Sequence, residues 1–567
     1  MKKSRSIYKI VLLNVLIILI VVFLVGTTES NIWGKNNSSI VEELFVSGDR
    51  ELVLTYNNLN DLDEVFIPRG TLASALGDET IYGTNFRKIS YENNDGLKME
   101  TWIESDKLVL DLEHAVLEKE IYVRTTTHIF DSMEDGEFIG LATKGQKFQV
   151  LDAELNSNGV VNWYKVKSEE IEGYVRGKYF VLEEASSVIR YADINPLYLE
   201  ASTRETCGNC FGGSATKLDF FPRNKIKYES NVMPLEVISW YISMENLWNI
   251  DEYIKLANDT NVNSFVIDIK DDGTPSYKSD VMKEYSITNY NHAMYSKEEF
   301  LDSVKKLKEA GFYVIGRITV FKDAYYAKDH PEYVIADSST DEPIKINGKY
   351  WPSPYIREVW KFNVDLAKES VEKFGFNEIN FDYIRFPDRT QELIKGNKLD
   401  QRNKYGEERS EAIQRFVMYA YDELSELEVY VSGDVFGEAS HNYVADYGQY
   451  WPALSNILDV ISPMPYPDHF GNIYQGYIDV VKPWEQPYKI MKVWGASAKK
   501  SQEETPTPAI VRSWILHQDT MQGYKYQSEH LTEQVRGLYE NGLDGGYMPW
   551  TALGTLSNYK KYIEFYK

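Results

Sequence analysis

The segment "NEINFDYIRFP", residues 377–387, decides the fold of this chain. Its aromatic and β-branched residues are typical of a buried strand, yet it carries Asp382 and Arg385 and stops at Pro387. Charged side chains at the end of a buried strand are expected at the carboxyl edge of a parallel sheet, where α/β proteins bind ligands. The segment therefore predicts a strand of a parallel sheet with a polar site at its end.

Seven further segments have the same strand-like composition. They are "EVISWYIS" (236–243), "SFVIDIKDDG" (264–273), "YVIGRITVF" (313–321), "VYVSGDVFG" (429–437), "VISPMPYPDHF" (460–470), "RSWILHQD" (512–519) and "GGYMPWTALG" (545–554). Helical patterns separate them, such as the one that begins with the capping box of Ser296 and Glu299 and ends before Gly311. Eight alternating units predict an α/β fold of the (β/α)8 TIM-barrel type over residues 234–567. An open, doubly wound sheet is the alternative, but its glycine-rich dinucleotide fingerprint is absent.

The N-terminus predicts export. Four basic residues (Lys2, Lys3, Arg5 and Lys9) precede an apolar run from Ile10 to Val25 that only Asn14 interrupts. Such a run spans about 24 Å as a helix, less than the ~30 Å core of a bilayer. We find no cleavage site, and we therefore expect a single-pass signal anchor at residues 1–26 with the body of the chain outside the cytoplasm. A cleaved signal peptide, and hence a secreted protein, is the alternative.

The residues between the anchor and the barrel divide into four predicted segments. Residues 27–40 are a polar spacer, 41–118 a small β-rich domain of unknown role, and 183–233 a linker that contains "CGNC". The short strands of residues 119–182 predict a small β-barrel. Their segments "YVRTTTHIF", "GLATKGQKFQVLD", "NWYKVK" and "GYVRGKYF" resemble the bacterial SH3-like domain, which implies binding to cell wall.

Cysteine, charge and composition exclude several functions. Cys207 and Cys210 lack a second CxxC or closely spaced histidines, so we predict a local disulfide or free thiols and no metal site. The net charge of −25, from 86 acidic and 61 basic residues, argues against nucleic-acid binding, which depends on neutralising phosphates. An acidic chain of 567 residues that is 14% aromatic suits a neutral sugar better. We expect no cofactor.

Several predicted strands end in a carboxylate. Asp268 and Lys270 end the second strand, with Asp271 and Asp272 just beyond it. Asp382 ends the fourth strand, Asp434 ends the fifth, and Asp519 follows the seventh. One such residue could simply cap a helix or form an ion pair, but several at one mouth are costly because like charges repel. Paired carboxylates are what glycoside hydrolysis requires. Aromatic residues near the strand ends could stack on sugar rings: Trp240, Tyr241, Tyr383, Tyr466, Trp514 and Trp550.

Five motifs of the barrel segment resemble the putative glycosyl hydrolase domain family of exported bacterial proteins. They are "FVIDIKDDG", "NEINFDYIRFPD", "SGDVFG", "RSWILHQD" and "GGYMPWTA". The resemblance implies action on glycans. By analogy with barrel hydrolases of the α-amylase type, it implies Asp382 as nucleophile and Asp434 as general acid/base. Asp268 would orient substrate or tune charge, and Arg385 would hold Asp382 ionised.

Three functional hypotheses remain at this point. The first is an anchored glycoside hydrolase that acts on cell-wall or extracellular polysaccharide, peptidoglycan included. The second is a glycan-binding protein that has kept the cleft and lost catalysis. The third is a metal-dependent polysaccharide deacetylase, suggested by "DIKDD" but disfavoured because the histidine ligands are missing.

Overall fold

The computed structural model describes residues 43–567 with gaps at 48–51, 60–62, 82, 94–96, 111, 113–114, 116–119, 156–159, 191–192, 194–211, 442, 472, 475–476 and 553. The predicted signal anchor and the two cysteines fall outside the described residues. Within the described part, no helix is long and apolar enough to cross a membrane. The chain divides into two compact units, one within residues 1–119 and 152–162 and the other within 120–151 and 163–567.

The first unit contains a seven-stranded antiparallel sheet. Its strands are β1 (Glu43–Val46), β2 (Leu52–Tyr56), β3 (Glu64–Pro68), β4 (Leu72–Ile81), β5 (Thr84–Glu92), β6 (Lys98–Glu104) and β7 (Leu108–Val109), in the order β3-β2-β6-β5-β4-β1-β7. Alternate residues such as Ile89 and Ile103 are fully buried in its core. The alternating runs of the sequence therefore form strands here, because one face of each strand is buried.

A second seven-stranded sheet begins the second unit. Its strands are β8 (Glu120–Val123), β9 (Thr127–Phe130), β10 (Phe138–Ala142), β11 (Lys147–Leu155), β12 (Val161–Lys167), β13 (Glu172–Arg176) and β14 (Phe180–Val181), in the order β10-β9-β13-β12-β11-β8-β14. Tyr179 of this sheet donates its hydroxyl to Asp422 Oδ2 of a helix in the following domain, at 2.7 Å. The strands lie where the sequence predicts a small β domain, and the SH3-like assignment stays a prediction.

A barrel-like parallel sheet forms the rest of the second unit. The strands from here on are β15 (Val237–Ile242), β16 (Ser264–Asp271), β17 (Thr274–Pro275), β18 (Tyr313–Thr319), β19 (Ala336–Asp337), β20 (Glu378–Asp382), β21 (Leu399–Asp400), β22 (Tyr430–Phe436), β23 (Val460–Met464), β24 (Ile473–Tyr474), β25 (Tyr477–Val481), β26 (Ile510–Val511), β27 (Ser513–Leu516) and β28 (Gly546–Trp550). The barrel order is β26-β23-β22-β20-β18-β16-β15-β28-β27. All eight predicted segments contain a strand of this sheet.

The sheet is nearly closed, and its seventh strand is interrupted at Arg512. The part before the interruption, β26, pairs with β23, and the part after it, β27, pairs with β28. β28 also pairs with β15, where Gly546 has a φ of +101°. A Cβ at Gly546 would lie 2.0 Å from the Val237 carbonyl oxygen, so only glycine allows the first and eighth strands to meet there.

Helices follow most of the strands, as the alternating pattern predicts. They are α1 (Glu184–Val188), α2 (Ile250–Ala257), α3 (Asp280–Tyr285), α4 (Ile287–Asn291), α5 (Lys297–Glu309), α6 (Tyr326–Asp329), α7 (Arg357–Phe374), α8 (Gln391–Lys395), α9 (Arg409–Ser425), α10 (Trp451–Ser455), α11 (Pro487–Glu503), α12 (Ser528–Tyr539) and α13 (Leu556–Lys561). The predicted capping box of Ser296 and Glu299 opens α5. The strand ends that precede these helices lie at one edge of the sheet.

The opposite end of the barrel is filled by a buried ion pair. Arg512 Nη1 donates to both carboxylate oxygens of Glu378, at 2.7 and 2.9 Å, and the Tyr313 hydroxyl donates to Glu378 Oε2. Arg512 and Glu378 have no exposed surface. Because this end is closed, only the carboxyl end of the strands is left to form a ligand site.

Candidate active site

A cleft of about 830 Å³ opens at the carboxyl ends of the barrel strands. Seven of the residues predicted from the sequence line it: Asp382, Tyr383, Arg385, Asp434, Tyr466, Trp514 and Trp550. They come from four different places in the barrel, the ends of strands β20, β22, β23 and the β27–β28 pair. The predicted polar site at the end of "NEINFDYIRFP" is therefore the floor of a cavity.

Arg317, in the middle of β18, organises the carboxylates on this floor. Its Nη1 donates to Asp268 Oδ1 at 2.6 Å and to Asp271 Oδ1 at 3.2 Å. Its Nη2 and Nε donate to Asp382 Oδ2 at 2.5 and 3.2 Å. Arg317 is 2% exposed, so one buried guanidinium serves two buried carboxylates and one partly exposed carboxylate.

Asp268 is the deepest of these carboxylates. Burial raises the pKa of Asp268 to about 7, although Arg317 and the Tyr241 hydroxyl act in the opposite direction. Tyr241 donates this hydroxyl to Asp268 Oδ2 at 2.6 Å. Asp268 does not line the cleft, so it acts on substrate only through Arg317.

Asp382 has donors on both oxygens. Besides Arg317 on Oδ2, the backbone N–H of Tyr383 donates to Oδ1 at 2.6 Å. Tyr383 has a φ of +53°, an uncommon conformation for a residue with a side chain. This left-handed residue turns the chain directly after the strand and lets Asp382 bond to the next amide.

Asp434 has very different surroundings. Its Oδ1 accepts hydrogen bonds from Asn380 Nδ2 and Trp514 Nε1, both at 2.9 Å, while its Oδ2 is buried and has no partner among the described residues. Burial, and then the negative charge of Asp382, raise the pKa of Asp434 well above its usual range. These surroundings therefore favour the protonated form of Asp434.

The two acidic groups lie on neighbouring strands at matching positions. β20 and β22 are parallel, with Phe381 opposite Gly433, so Asp382 and Asp434 follow as the next pair. Neighbouring strands are about 4.8 Å apart, and side chains at matching positions point to the same face. A carboxyl group with a raised pKa and one paired with Arg317 therefore stand side by side at the floor of the cleft.

Aromatic rings form one wall above them. Tyr466, Trp514 and Trp550 contact one another edge-on or tilted, with ring centroids 6.1–6.4 Å apart for the two pairs that involve Trp550. Burial raises the pKa of Tyr466 well above its usual range, and the neighbouring carboxylates of Asp434 and Asp382 raise it further. The phenol therefore stays neutral close to both. Such a wall suits the apolar face of a sugar ring.

An exposed carboxylate, Glu438, lies at the mouth of the cleft. It follows β22 by two residues, and the hydroxyls of Tyr443 and Tyr447 donate to its two oxygens at 2.8 and 2.7 Å. Tyr447 also packs edge-on against Phe436, which lines the cleft as well. Two tyrosines thus hold an exposed anion in a fixed orientation.

Three of the predicted substrate-binding residues, Asp271, Trp240 and Lys270, do not line the cleft, and the last two are fully buried away from it. Trp240 is fully buried behind β15, stacked on Tyr559 at 4.4 Å, because its side chain points away from the barrel interior while that of Tyr241 points inward. Lys270 is also fully buried, since its Nζ donates to Asp323 at 2.7 Å and lies over Phe362. Neither residue is part of the site that we describe.

The sequence predicts that Arg385 pairs with Asp382, but in the structure the partner of Asp382 is Arg317. Arg385 donates to the Phe386 carbonyl oxygen, and its Nη1 lies 3.6 Å from Asp388 Oδ1. Its guanidinium lies over the rings of Trp351, Tyr383 and Phe436, at 4.5–5.1 Å from their centroids. Arg385 therefore contributes a cationic cleft wall. Asp271 reaches the site only through Arg317 and is partly exposed.

No group of metal-ligating side chains is present among the described residues. Asp272, which the "DIKDD" motif offered as a ligand, instead pairs with Lys322 and Lys349, at 3.0 Å each. Asp519, after the seventh strand, pairs with Lys525 and Lys561. These carboxylates are neutralised by lysines.

The sequence analysis missed Arg317, Asn380 and Glu438. For Arg317 there was a signal, because an arginine inside the apolar strand "YVIGRITVF" has to meet carboxylates once it is buried. Asn380 lies two residues before Asp382, on the same face of its strand, and could have been found by the same period of two. Glu438 lies in a loop, and its position depends on two tyrosines that no pattern identifies.

A family model described as "Putative glycosyl hydrolase domain" matches residues 239–555, more than half of the chain. The chain belongs to this family. All the residues of the floor, from Asp268 to Trp514, lie within the matched range. The match confirms the resemblance on which the sequence analysis relied.

Solved structures that resemble the chain have low TM-scores. A hypothetical protein from Ruminiclostridium thermocellum is 29% identical over 35% of this chain and 97% of its own, with a TM-score of 0.30. The PgaB (BpsB) glycoside hydrolase domain from Bordetella bronchiseptica is 14% identical over 58% and 98%, with a TM-score of 0.42. The spore cortex-lytic enzyme SleL from Bacillus cereus is 12% identical over 59% and 76%, with a TM-score of 0.34. No curated protein sequence matches the chain.

Proposed function

We propose that the chain is a glycoside hydrolase that acts on cell-wall or extracellular polysaccharide, peptidoglycan included. The observation that carries this proposal is the pair of Asp382 and Asp434. They stand at neighbouring strand ends in an aromatic cleft, one ion-paired with Arg317 and the other protonated. An ionised and a protonated carboxyl group flanking one bond are the two components that glycosidic hydrolysis needs.

In this mechanism Asp434 is the general acid and Asp382 the nucleophile. Asp434 gives its proton to the glycosidic oxygen as the bond to the leaving sugar breaks, and Asp382 attacks the anomeric carbon. Asp434, now ionised, then takes a proton from the water that releases the sugar from Asp382. Arg317 pairs with Asp382 before attack and is itself shared with Asp268.

The strand geometry favours retention of the anomeric configuration. Retaining enzymes place their carboxyl groups about 5–5.5 Å apart, and inverting enzymes about 6.5–9.5 Å apart to admit a water. Matching positions on neighbouring strands begin about 4.8 Å apart, which is closer to the retaining separation. Proton NMR of the first-formed product anomer tests this point.

The location of the protein is a further part of the proposal. The basic residues before the apolar run at residues 10–25 support a signal anchor, which would keep the barrel at the outer face of the membrane. The SH3-like resemblance of residues 119–182 supports attachment to the wall nearby. A secreted form remains the alternative.

A second candidate is a protein that binds glycan without cleaving it. Both oxygens of Asp382 accept hydrogen bonds, which opposes nucleophilic attack by this carboxylate. The oriented Glu438 and the aromatic wall could bind a sugar without any bond being cleaved.

The deciding experiment compares the full-length protein with its Asp382→Asn variant on purified cell-wall and exopolysaccharide fractions. Asp519→Asn is the matched control, because it removes a carboxylate that lysines neutralise at the end of another strand. Hydrolysis predicts new reducing ends from the parent and the control but not from Asp382→Asn. If all three bind a fraction and none releases reducing ends, the binding function replaces the hydrolase for those polymers.

A further inference from the structure

The two oxygens of Asp434 are unequal. Oδ1 accepts the indole N–H of Trp514 and the amide N–H of Asn380, whereas Oδ2 is buried and has no hydrogen-bond partner among the described residues. A buried polar atom without a partner costs free energy unless it serves a purpose. Asp434 lines the cleft, and Oδ2 is its oxygen without a partner.

The indole N–H settles which oxygen carries the proton. Tryptophan can only donate a hydrogen bond, so the atom that it meets must be an acceptor. In a protonated carboxyl group the carbonyl oxygen is the better acceptor, and the hydroxyl oxygen is the donor. With two N–H groups aimed at Oδ1, the carbonyl oxygen is Oδ1 and the O–H is Oδ2.

We propose that Trp514 and Asn380 are positioning residues that place the acid proton of Asp434 on Oδ2, the oxygen that has no hydrogen-bond partner among the described residues. The proposal rests on the general-acid role given to Asp434 above and adds the two residues that direct its proton. The proton leaves Oδ2 for the glycosidic oxygen, which keeps the electron pair of the broken C–O bond. The carboxylate that remains is stabilised by the same two N–H groups.

The charged and titratable groups that face Asp434 come from three other elements. They are Asp382 on β20, Arg317 on β18 and Tyr466 after β23. None of them donates a hydrogen bond to Asp434 in the structure, so the two neutral donors alone make its oxygens unequal. Trp514 therefore positions the proton of Asp434 in addition to forming part of the aromatic wall.

The test measures the carboxylic-acid C=O stretch by infrared difference spectroscopy of the full-length protein at pH 7. Subtraction of an Asp434→Asn spectrum isolates the band of Asp434. Because Trp514→Phe and Asn380→Ala each remove a donor from the carbonyl oxygen, both should move this band to higher wavenumber. Trp360→Phe is the control, since it removes a buried indole N–H that is bound to the Pro354 carbonyl.

Two results would overturn the proposal. One is the absence of any acid band that Asp434→Asn removes. The other is a band that keeps its position in both donor variants or moves equally in the Trp360→Phe control. Two donor variants are used so that the test still gives a result if one of them fails to fold. The measurement needs no substrate, so a shifted band without hydrolysis would keep this inference and reject the hydrolase.

Where hydrolysis is established, a pH profile adds an independent readout. Removing a donor from the ionised form raises the pKa of Asp434, so the basic limb of kcat/KM in Trp514→Phe should move upward by about one pH unit. A lower kcat with an unmoved basic limb would assign Trp514 a role in packing alone and contradict the proposal.

Discussion

At the scale of single residues, Arg317 is the cation on which the buried carboxylates depend. Arg317→Met leaves Asp268 and Asp382 buried without a counter-charge. We expect the free energy of unfolding to fall by about 3–5 kcal/mol, together with activity, because an unpaired buried charge is not compensated by packing. Urea denaturation of the full-length protein measures the loss.

Arg385→Met is the matched control for Arg317. Arg385 lies against three rings in the same cleft but has no hydrogen bond to Asp382. Methionine keeps part of this packing, so a clearly smaller loss of stability is expected. Equal losses in the free energy of unfolding in the two variants would mean that Arg317 contributes through packing and not as a counter-charge.

The protonated state of Asp434 predicts how stability depends on pH. The pKa of this carboxyl group is raised in the folded chain and near 4 in the unfolded chain, so only the unfolded state releases the proton between those values. The contribution of Asp434 to the free energy of unfolding therefore falls as pH rises from about 4 to the raised pKa of the folded chain. Asp434→Asn escapes this penalty and should have a Tm about 2 °C or more above that of the parent at pH 8, with a smaller difference at pH 4.5.

Asp519→Asn should change the Tm at pH 8 in the opposite direction from Asp434→Asn. Burial acts to raise the pKa of Asp519, but Lys525 and Lys561 outweigh it and lower the pKa. A lowered pKa contributes stability above the unfolded value, so this variant should lose Tm at pH 8. Thermal scans at the two pH values separate the cases, and a destabilised Asp434→Asn at pH 8 would contradict the protonated state.

At the scale of elements, the loop after β22 carries the fixed anion of the cleft mouth. Glu438→Gln keeps the shape but removes the charge that Tyr443 and Tyr447 orient. If this carboxylate binds sugar hydroxyls, KM on the cleaved polymer should rise roughly tenfold with kcat nearly unchanged, as for loss of a charged hydrogen bond made equally in ground and transition states.

Tyr443→Phe is the graded control for this loop. It leaves the carboxylate in place with one donor, so KM should change less than in Glu438→Gln. Steady-state kinetics on one polymer decide between the roles. A fall in kcat with constant KM would place Glu438 in the chemical step instead.

The strands show how far the sequence predicts the site and where it stops. The positions of Asp382 and Asp434 followed from their strand ends, because parallel strands bring their carboxyl ends together. Trp240 and Tyr241 could not be told apart, since both faces of a buried parallel strand are apolar and the period of two gives no sign of which residue points inward. The structure turns Tyr241 inward.

Side-chain pairings were the part that the sequence could not supply. Arg385 is closer to Asp382 along the chain, but Arg317 is its partner because it lies on the neighbouring strand and points to the same face. The Trp514 bond to Asp434 joins residues that are 80 positions apart. Such pairings depend on register between strands, which no single segment contains.

At the scale of the whole molecule, Asp422 of α9 joins the second sheet to the barrel within the second unit. Its carboxylate accepts the Tyr179 hydroxyl and pairs with Lys178, and Arg176 Nε lies 3.9 Å away. Asp422→Ala leaves the buried Tyr179 hydroxyl without its carboxylate acceptor and should cost about 1–3 kcal/mol in the free energy of unfolding. Denaturation curves of the full-length protein measure it.

Glu426→Ala is the control for this junction. Glu426 also pairs with Arg176, but its side chain is 62% exposed, so its loss should cost no more than about 1 kcal/mol. If both variants unfold like the parent, the polar contacts at this junction contribute nothing, and packing alone holds the second sheet on the barrel.

The interruption of the seventh strand at Arg512 has a consequence for the order of folding. The strands from β15 to β23 can pair with their neighbours as each follows the last, but the ring is completed only when β26 meets β23 and β28 meets β15. The second of these contacts pairs Val237 with Gly546, at opposite ends of the domain, so its formation carries the largest loss of chain entropy. During synthesis the barrel therefore cannot close until β28 has left the ribosome, and the cleft can form only after that step.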